Sequence, residues 1–290
     1  MSPDIANVMA DFFKKIISGA QGSEDESKEM GFLDHLEELR WHVIRAGISV
    51  CIFATLALVF QQEVFEYIIY APKKPDFITY KIFCAISEAT CFSPPELQLI
   101  TREMGEQFFM GITVSLYIGL IASFPYMFYE FWKFIKPGLF ETEVKIANRL
   151  IGATSFLFLL GVAFGYFVIA PFAITFLGSY TVGTEAINSP TLASYVNYLT
   201  MFTIPVGLSF ELPIVVYFLA KIGLIGPEIM KKYRREAFLI IFIVAAVITP
   251  PDALTQILVG VPMYILYEIS INVAARVTKV ENLPAQKQPD

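Results

Sequence analysis

Six apolar runs follow one another along the chain, at about 41–61, 108–132, 148–177, 196–222, 236–250 and 253–275, separated by polar or proline-bearing stretches. Most reach the length of about 20 residues that crosses a bilayer core as a helix. The fifth, "AFLIIFIVAAVITP", has 14 residues. At about 1.5 Å per residue it reaches only about 21 Å, short of about 30 Å of hydrocarbon. "TPPD" then turns it directly into the sixth. The pattern predicts two short crossing helices, the fifth and sixth, that thin the bilayer locally, with a re-entrant hairpin as the alternative. The fold class is an all-α polytopic membrane protein with six transmembrane helices.

Charge gives the predicted spans a direction. With the N-terminus placed inside, 17 of the 21 Lys and Arg residues fall on the inner side. Lys73, Lys74, Lys81 and Arg102 remain outside, in one loop that also holds seven acids. The loops near 178–195 and 250–253 carry neither Lys nor Arg. The positive-inside rule then places both termini in the cytoplasm. Composition agrees with the class: 56% of residues are hydrophobic and 17% charged, against about 25% charged in an average soluble domain. The net charge of −6, with no basic stripe carrying aromatics, argues against a nucleic-acid partner.

Three regions follow. Residues 1–30 form an N-terminal extension, 31–276 a six-span membrane domain and 277–290 a cytoplasmic tail. In the extension, Ile5, Val8, Met9, Phe12, Phe13, Ile16 and Ile17 share one helical face. A helix lying on the inner membrane surface, a partner-binding segment and a loosely ordered one all fit. No basic leader precedes the first span, so the chain is expected to enter by that span and keep its N-terminus. The outer loop, about 62–107, starts and stops at prolines and is expected to form a periplasmic cap. Cys84 and Cys91 lie in it, where an oxidising compartment lets them pair; two buried free thiols are the alternative. Cys51 lies in the first span as a free thiol.

The candidate chemistry is sparse. Glu211 stands alone in "GLSFELPIVVYFLA", on a helix that Pro205 and Pro213 should kink. An ionisable residue there is a functional-site candidate: it either hydrogen-bonds a partner's span or a neighbouring helix of its own chain. At the first span's entrance, "FLDHLEELRWHVIRAG" reads as an amphipathic helix start capped by Asp34. After the second span, "YEFWKFIKPGLFETE" reads as an interfacial turn at Pro137-Gly138. Both stretches place acids, Glu37, Glu38, Glu141 and Glu143, on an otherwise basic face. Guanidinium groups suit such acids because Arg pairs with carboxylate through two hydrogen bonds.

"HLEELR", "FWKFIKPGLFETE", "GYFVIAP", "FELP" and "TPPDALTQ" occur in this order across the six runs. On these motifs, residues 31–276 resemble the TatC family, the multispanning receptor subunits of the twin-arginine protein translocase. The resemblance implies a signal-peptide receptor and assembly scaffold in the bacterial inner membrane, exporting folded proteins with the proton-motive force. It implies single-span TatA and TatB partners and several copies of the chain in one complex. It assigns Glu38 and Glu143 to the signal arginines, with Phe134, Leu139 and Arg40 beside them. It places Phe158, Tyr166, Glu211, Asp252 and Gln256 among the partner-facing or intramembrane polar positions, and Pro72, Pro125 and Pro137 among the structural ones. It also implies a concave face into which Glu211 looks. Val144 follows Glu143 where the family often has a basic residue; Lys145 comes next.

No phosphate-binding glycine loop or hydrolase elbow occurs in the sequence. His35 and His42 are read as interfacial side chains rather than metal ligands. No cofactor is called for, and the expected role is binding rather than catalysis. The competing function is a proton-coupled small-molecule transporter using Glu211; an intramembrane enzyme is a third reading.

Overall fold

The computed structural model describes residues 32–88, 91–135, 141–181, 183, 188–249 and 252–281. These form two compact units, Met1–Trp41 and His42–Asp290. The extension 1–30, Pro137, Leu139 and the last nine residues lie outside the described set. Eleven α-helices occur among the described residues, and no strand. They are α1 (Phe32–Val59), α2 (Gln61–Val64), α3 (Ile78–Ile86), α4 (Glu106–Ile135), α5 (Glu141–Phe164), α6 (Ala170–Ser179), α7 (Leu192–Ser209), α8 (Leu212–Lys221), α9 (Pro227–Lys232), α10 (Arg234–Ile248) and α11 (Ala253–Glu281). The helix α1 already runs at Phe32, so Asp34 lies inside it and is not its cap.

Five helical runs are long and apolar enough to cross a membrane: Glu37–Val59, Glu106–Ile135, Leu150–Ser179, Leu192–Lys221 and Ala253–Thr278. The fifth apolar segment of the sequence is the exception, since α10 has 15 residues. The sixth is not short: α11 has 29 residues. Its far end keeps an apolar face, with Ile271 and Ala274 buried in a cluster with Val216 and Ala220 of α8 and Met230 of α9. That packing carries the helix past the end of the apolar run. Between the spans that end at Val59 and start at Glu106, α2, a 3-10 turn (Ala71–Lys73), α3 and a stretch without regular structure at 91–99 occupy the loop. A disulfide joins Cys84 at the end of α3 to Cys91.

Two π-helical turns, Phe65–Ile69 and Gly165–Ile169, interrupt this helical order. Each is followed within three residues by a proline, Pro72 in the 3-10 turn and Pro171 at the start of α6. Proline lacks the N–H that would bond the carbonyl four residues back. The carbonyls so abandoned belong to Ile68 and Phe167. Both are taken up by side chains from other elements: Tyr166 donates its hydroxyl to Ile68 O at 2.6 Å, and Thr79 donates to Phe167 O. Tyr195 of α7 donates to Ile69 O at 2.8 Å, and Tyr80 of α3 to Pro72 O at 2.7 Å. Burial raises the Tyr80 phenol above its ordinary pKa, which keeps that donor protonated.

Close helix contacts need missing side chains. A Cβ on Gly165 would lie 2.2 Å from the Phe202 carbonyl oxygen, and one on Gly119 2.7 Å from Ala54 N. These glycines let α7 meet the π turn, and α1 meet α4, backbone to backbone. The core formed around the first contact includes Ile169, Ala170, Ala173, Val196 and Phe202, with Ala245 of α10, all fully buried. Outward positions such as Ile52, Val59, Phe156, Leu239 and Val247 are exposed apolar side chains, as a lipid-facing surface requires.

The disulfide sets a countable expectation. Thiol labelling of the denatured, unreduced protein should find one reactive cysteine, Cys51, and three after reduction. Three before reduction would remove the cross-link.

Candidate functional site

Helix α7 ends at Ser209, a turn follows at Phe210–Glu211, and α8 begins with Pro213 in its first turn. The expected kink is therefore a break: Pro213 cannot donate to the preceding turn, and the chain restarts with Glu211 at the N-cap of α8. This places the carboxyl at a helix junction within a membrane-spanning run. Both Glu211 oxygens are shut off from solvent, and no hydrogen-bond partner reaches them among the described residues. Thr154 and the backbone of Phe158, one turn apart on α5, are the polar groups that act on the carboxyl. They stay outside hydrogen-bond geometry, and Thr154 Oγ1 is itself buried without a partner. Phe158 is fully buried and stacks on Phe124 of α4 with ring centroids 3.6 Å apart. The junction thus brings together Glu211 and Phe158, which the sequence singled out, and Thr154, which it did not.

A second carboxylate lies near the end of α4. Glu130 is buried and accepts from His42 Nδ1 at 2.6 Å and from Arg45 Nη1 at 3.5 Å, both on α1. The His42 ring also meets the edge of Phe134, with centroids 6.2 Å apart. His42 is therefore a buried, paired residue. Four residues separate Glu130 from Phe134, one helical turn, so the carboxylate and the ring share the face turned to His42. Glu130 was hidden in an aromatic boundary stretch, and its partners lie more than 80 positions upstream.

Arg40, in the first unit, is exposed beside the Trp41 ring, 5.9 Å from its centroid; Glu38 belongs to the same unit. Glu143 lies in the opening turn of α5, and its side chain lies outside the described set. Tyr166 holds the first π turn. Pro72 is buried in the 3-10 turn, and Pro125 lies inside α4. Asp252 caps α11 by accepting from Thr255 N at 2.8 Å, and Gln256 donates to Phe242 O of α10 at 3.0 Å. Both polar side chains therefore make structural bonds at the α10–α11 turn. Glu106, which the sequence reading passed over, accepts from the backbone N–H groups of Arg102 at 2.7 Å and Ala193 at 2.9 Å. It ties the start of α4 to the start of α7. No cluster of three or more metal-ligating side chains occurs among the described residues.

Removing Glu130 should be felt as lost stability. Glu130→Ala deprives His42 and Arg45 of their shared acceptor and should destabilise the purified protein by about 1.5–3 kcal/mol, the scale of a buried charge-assisted hydrogen bond. Glu130→Gln, which keeps an acceptor oxygen, should lose less. Thermal unfolding in detergent checks the order, and equal losses would refute it.

The family described as "Sec-independent protein translocase protein (TatC)" matches residues 34–262. "Sec-independent protein translocase protein TatC" of Blattabacterium sp. subsp. Periplaneta americana (strain BPLAN) is 40% identical over 266 residues, covering 88% of this chain and 99% of that one. The protein of the same description from Aquifex aeolicus (strain VF5) is 34% identical over 244 residues, covering 83% and 93%. A crystal structure described as "Twin Arginine Translocase Receptor- TatC" superposes with a TM-score of 0.68 at 34% identity, covering 84% of this chain and 99% of that chain. These relatives are components of a protein translocase, and they lend no support to a small-molecule transporter. On the matched length, the identities and the shared helical architecture, this multi-pass membrane protein belongs to the TatC family of Sec-independent protein translocase proteins.

Proposed function

We propose that this chain is the twin-arginine signal-peptide receptor and assembly scaffold of a translocase that exports folded proteins at the expense of the proton-motive force. The likeness to a structure described as a twin-arginine translocase receptor, over most of both chains, carries this reading. In it the protein crosses the bacterial inner membrane six times with both termini cytoplasmic, as the distribution of Lys and Arg favours. The 15-residue α10 crosses as the short fifth span, and the segment between Phe60 and Gly105 caps the periplasmic side. Single-span TatA and TatB subunits dock on it, and several copies assemble in one complex.

Glu38 and Glu143 each receive one guanidinium of the signal peptide, with Phe134 and Leu139 giving apolar contact and Arg40 at the same boundary. Charge-assisted hydrogen bonds of this kind contribute roughly 1.5–3 kcal/mol each. Losing one acid should weaken binding by about tenfold to a hundredfold. Crosslinking of a twin-arginine signal peptide to membranes carrying Glu38→Gln, Glu143→Gln or both measures it. Undiminished crosslinking in the double variant would sink the assignment. A Lys-Lys signal should bind poorly even to the unchanged protein, because a point charge cannot reproduce the paired hydrogen bonds.

Glu211 serves a different contact. Two unpartnered carboxyl oxygens beside an unpartnered Thr154 hydroxyl leave the junction short of hydrogen bonds. A polar group on the span of a TatA or TatB subunit supplies them once the side chain swings out from its buried place beside Thr154. Glu211→Ala should impair export more than Glu211→Gln, which keeps hydrogen bonding without charge. Equal defects at normal protein levels would instead make the carboxyl a proton carrier.

A further inference from the structure

A cavity of about 360 Å³ lies between α4, α5 with its π turn, α7 and the π turn that follows α2. That size is within the range of about 300–1,000 Å³ typical of ligand sites. Its apolar walls include Val114, Ile118 and Ala122 of α4, Leu159 and Ala163 of α5 and Ile204 of α7. Three of these helices belong to membrane-spanning runs. Leu159 and Phe167, which also line the cavity and belong to the third membrane-spanning run, are exposed. The cavity therefore opens sideways onto the lipid-facing surface.

Its chemistry selects what can enter. The wall hydroxyls are already used: Thr200 donates to Val196 O at 2.9 Å, Thr203 to Leu199 O at 2.9 Å and Tyr166 to Ile68 O. Tyr117 brings one more hydroxyl to the lining, a single donor and too few to hold a polar ligand. Water has no set of partners here, since a buried water makes about three hydrogen bonds. An empty apolar cavity forfeits dispersion contacts along its whole lining. Hydrocarbon satisfies both conditions and is what borders the opening. The walls are also fixed in advance, because both π turns that reach the cavity are held by hydroxyl-to-carbonyl bonds from neighbouring elements. Such interruptions of a helix recur at functional sites.

We propose that this cavity is a binding site for one acyl chain of a membrane phospholipid, which enters from the side and seats against α4, α5 and α7. This goes beyond the receptor reading and stands or falls separately, because its test involves no signal peptide. The full-length protein is placed in phospholipid nanodiscs that contain a fraction of phosphatidylethanolamine bearing a diazirine midway along one acyl chain. After photolysis, adducts are mapped by peptide mass spectrometry. Adducts at Ile118 and Leu159 should exceed those at the outward-facing Leu116 and Phe156 severalfold. The double replacement Ala122→Phe with Ala163→Leu fills the cavity and should abolish that excess, leaving Leu116 and Phe156 unchanged. Ala122→Leu alone, at the exposed rim, should lower it in the same direction and serves if the double variant does not assemble. Even labelling at all four positions, or an excess that filling leaves untouched, would overturn the site. So would loss of the adducts when a single-span partner is reconstituted alongside, which would give the cavity to a protein side chain.

Discussion

Hydrocarbon offers a backbone carbonyl nothing to bond, so every interruption of a membrane helix has to be repaired from within the chain. Much of this structure follows from that constraint. Pro171 strips a donor from the carbonyl four residues back inside the third membrane-crossing run, Pro72 does the same in the loop beside it, and the chain answers each with a π turn and a hydroxyl from elsewhere. Tyr166 serves the first turn and itself sits in the second. Thr79, in the segment that the first turn introduces, serves the second. The two repairs are reciprocal, and they fasten α3 and the 3-10 turn to the third membrane-crossing run. Tyr195 adds α7 to the same knot through Ile69 O.

The same constraint separates two acids that lie inside membrane-spanning runs. Glu130 is matched by His42 and Arg45 and behaves as a structural fastening between α1 and α4. Glu211 sits at the turn between α7 and α8, with the Thr154 hydroxyl and the Phe158 backbone as the polar groups that act on it among the described residues. A buried polar group without a hydrogen bond is expensive, and its persistence at such a junction is what a contact surface for another subunit would require. Asp252 and Gln256 show the contrary case: polar residues near a helix end that are fully employed in holding α11 and its neighbour.

The sequence makes the broad architecture legible because apolar runs, prolines and lysines act locally. The short α10 is visible as a short run. Glu211 is conspicuous as one acid in an apolar stretch. Three things are not legible. A π turn adds a single residue to the helical period, too little to see in a pattern of Phe, Tyr and Ile, although the proline after it is plain. The length of α11 depends on packing against α8 rather than on its own composition. Glu130 looks like one more polar residue at a membrane boundary, because the histidine that explains it lies 88 positions away. The TatC-like motifs point to the right family and include Tyr166, Asp252 and Gln256, yet they leave Glu130, His42 and Glu106 unmarked.

The link from Glu106 to Ala193 also bears on the order in which the molecule is made. These residues are 87 positions apart, and synthesis at about 5–20 residues per second separates them by about 4–17 s. During that interval Glu106 has only the N–H groups of its own loop, while α5 and α6 must emerge, insert and return before the amide of Ala193 exists. The start of α4 is thus held open until the following hairpin is complete. Closure around α7 is a late event in biogenesis, and a chain arrested before Leu192 would carry a carboxylate still waiting for its last partner.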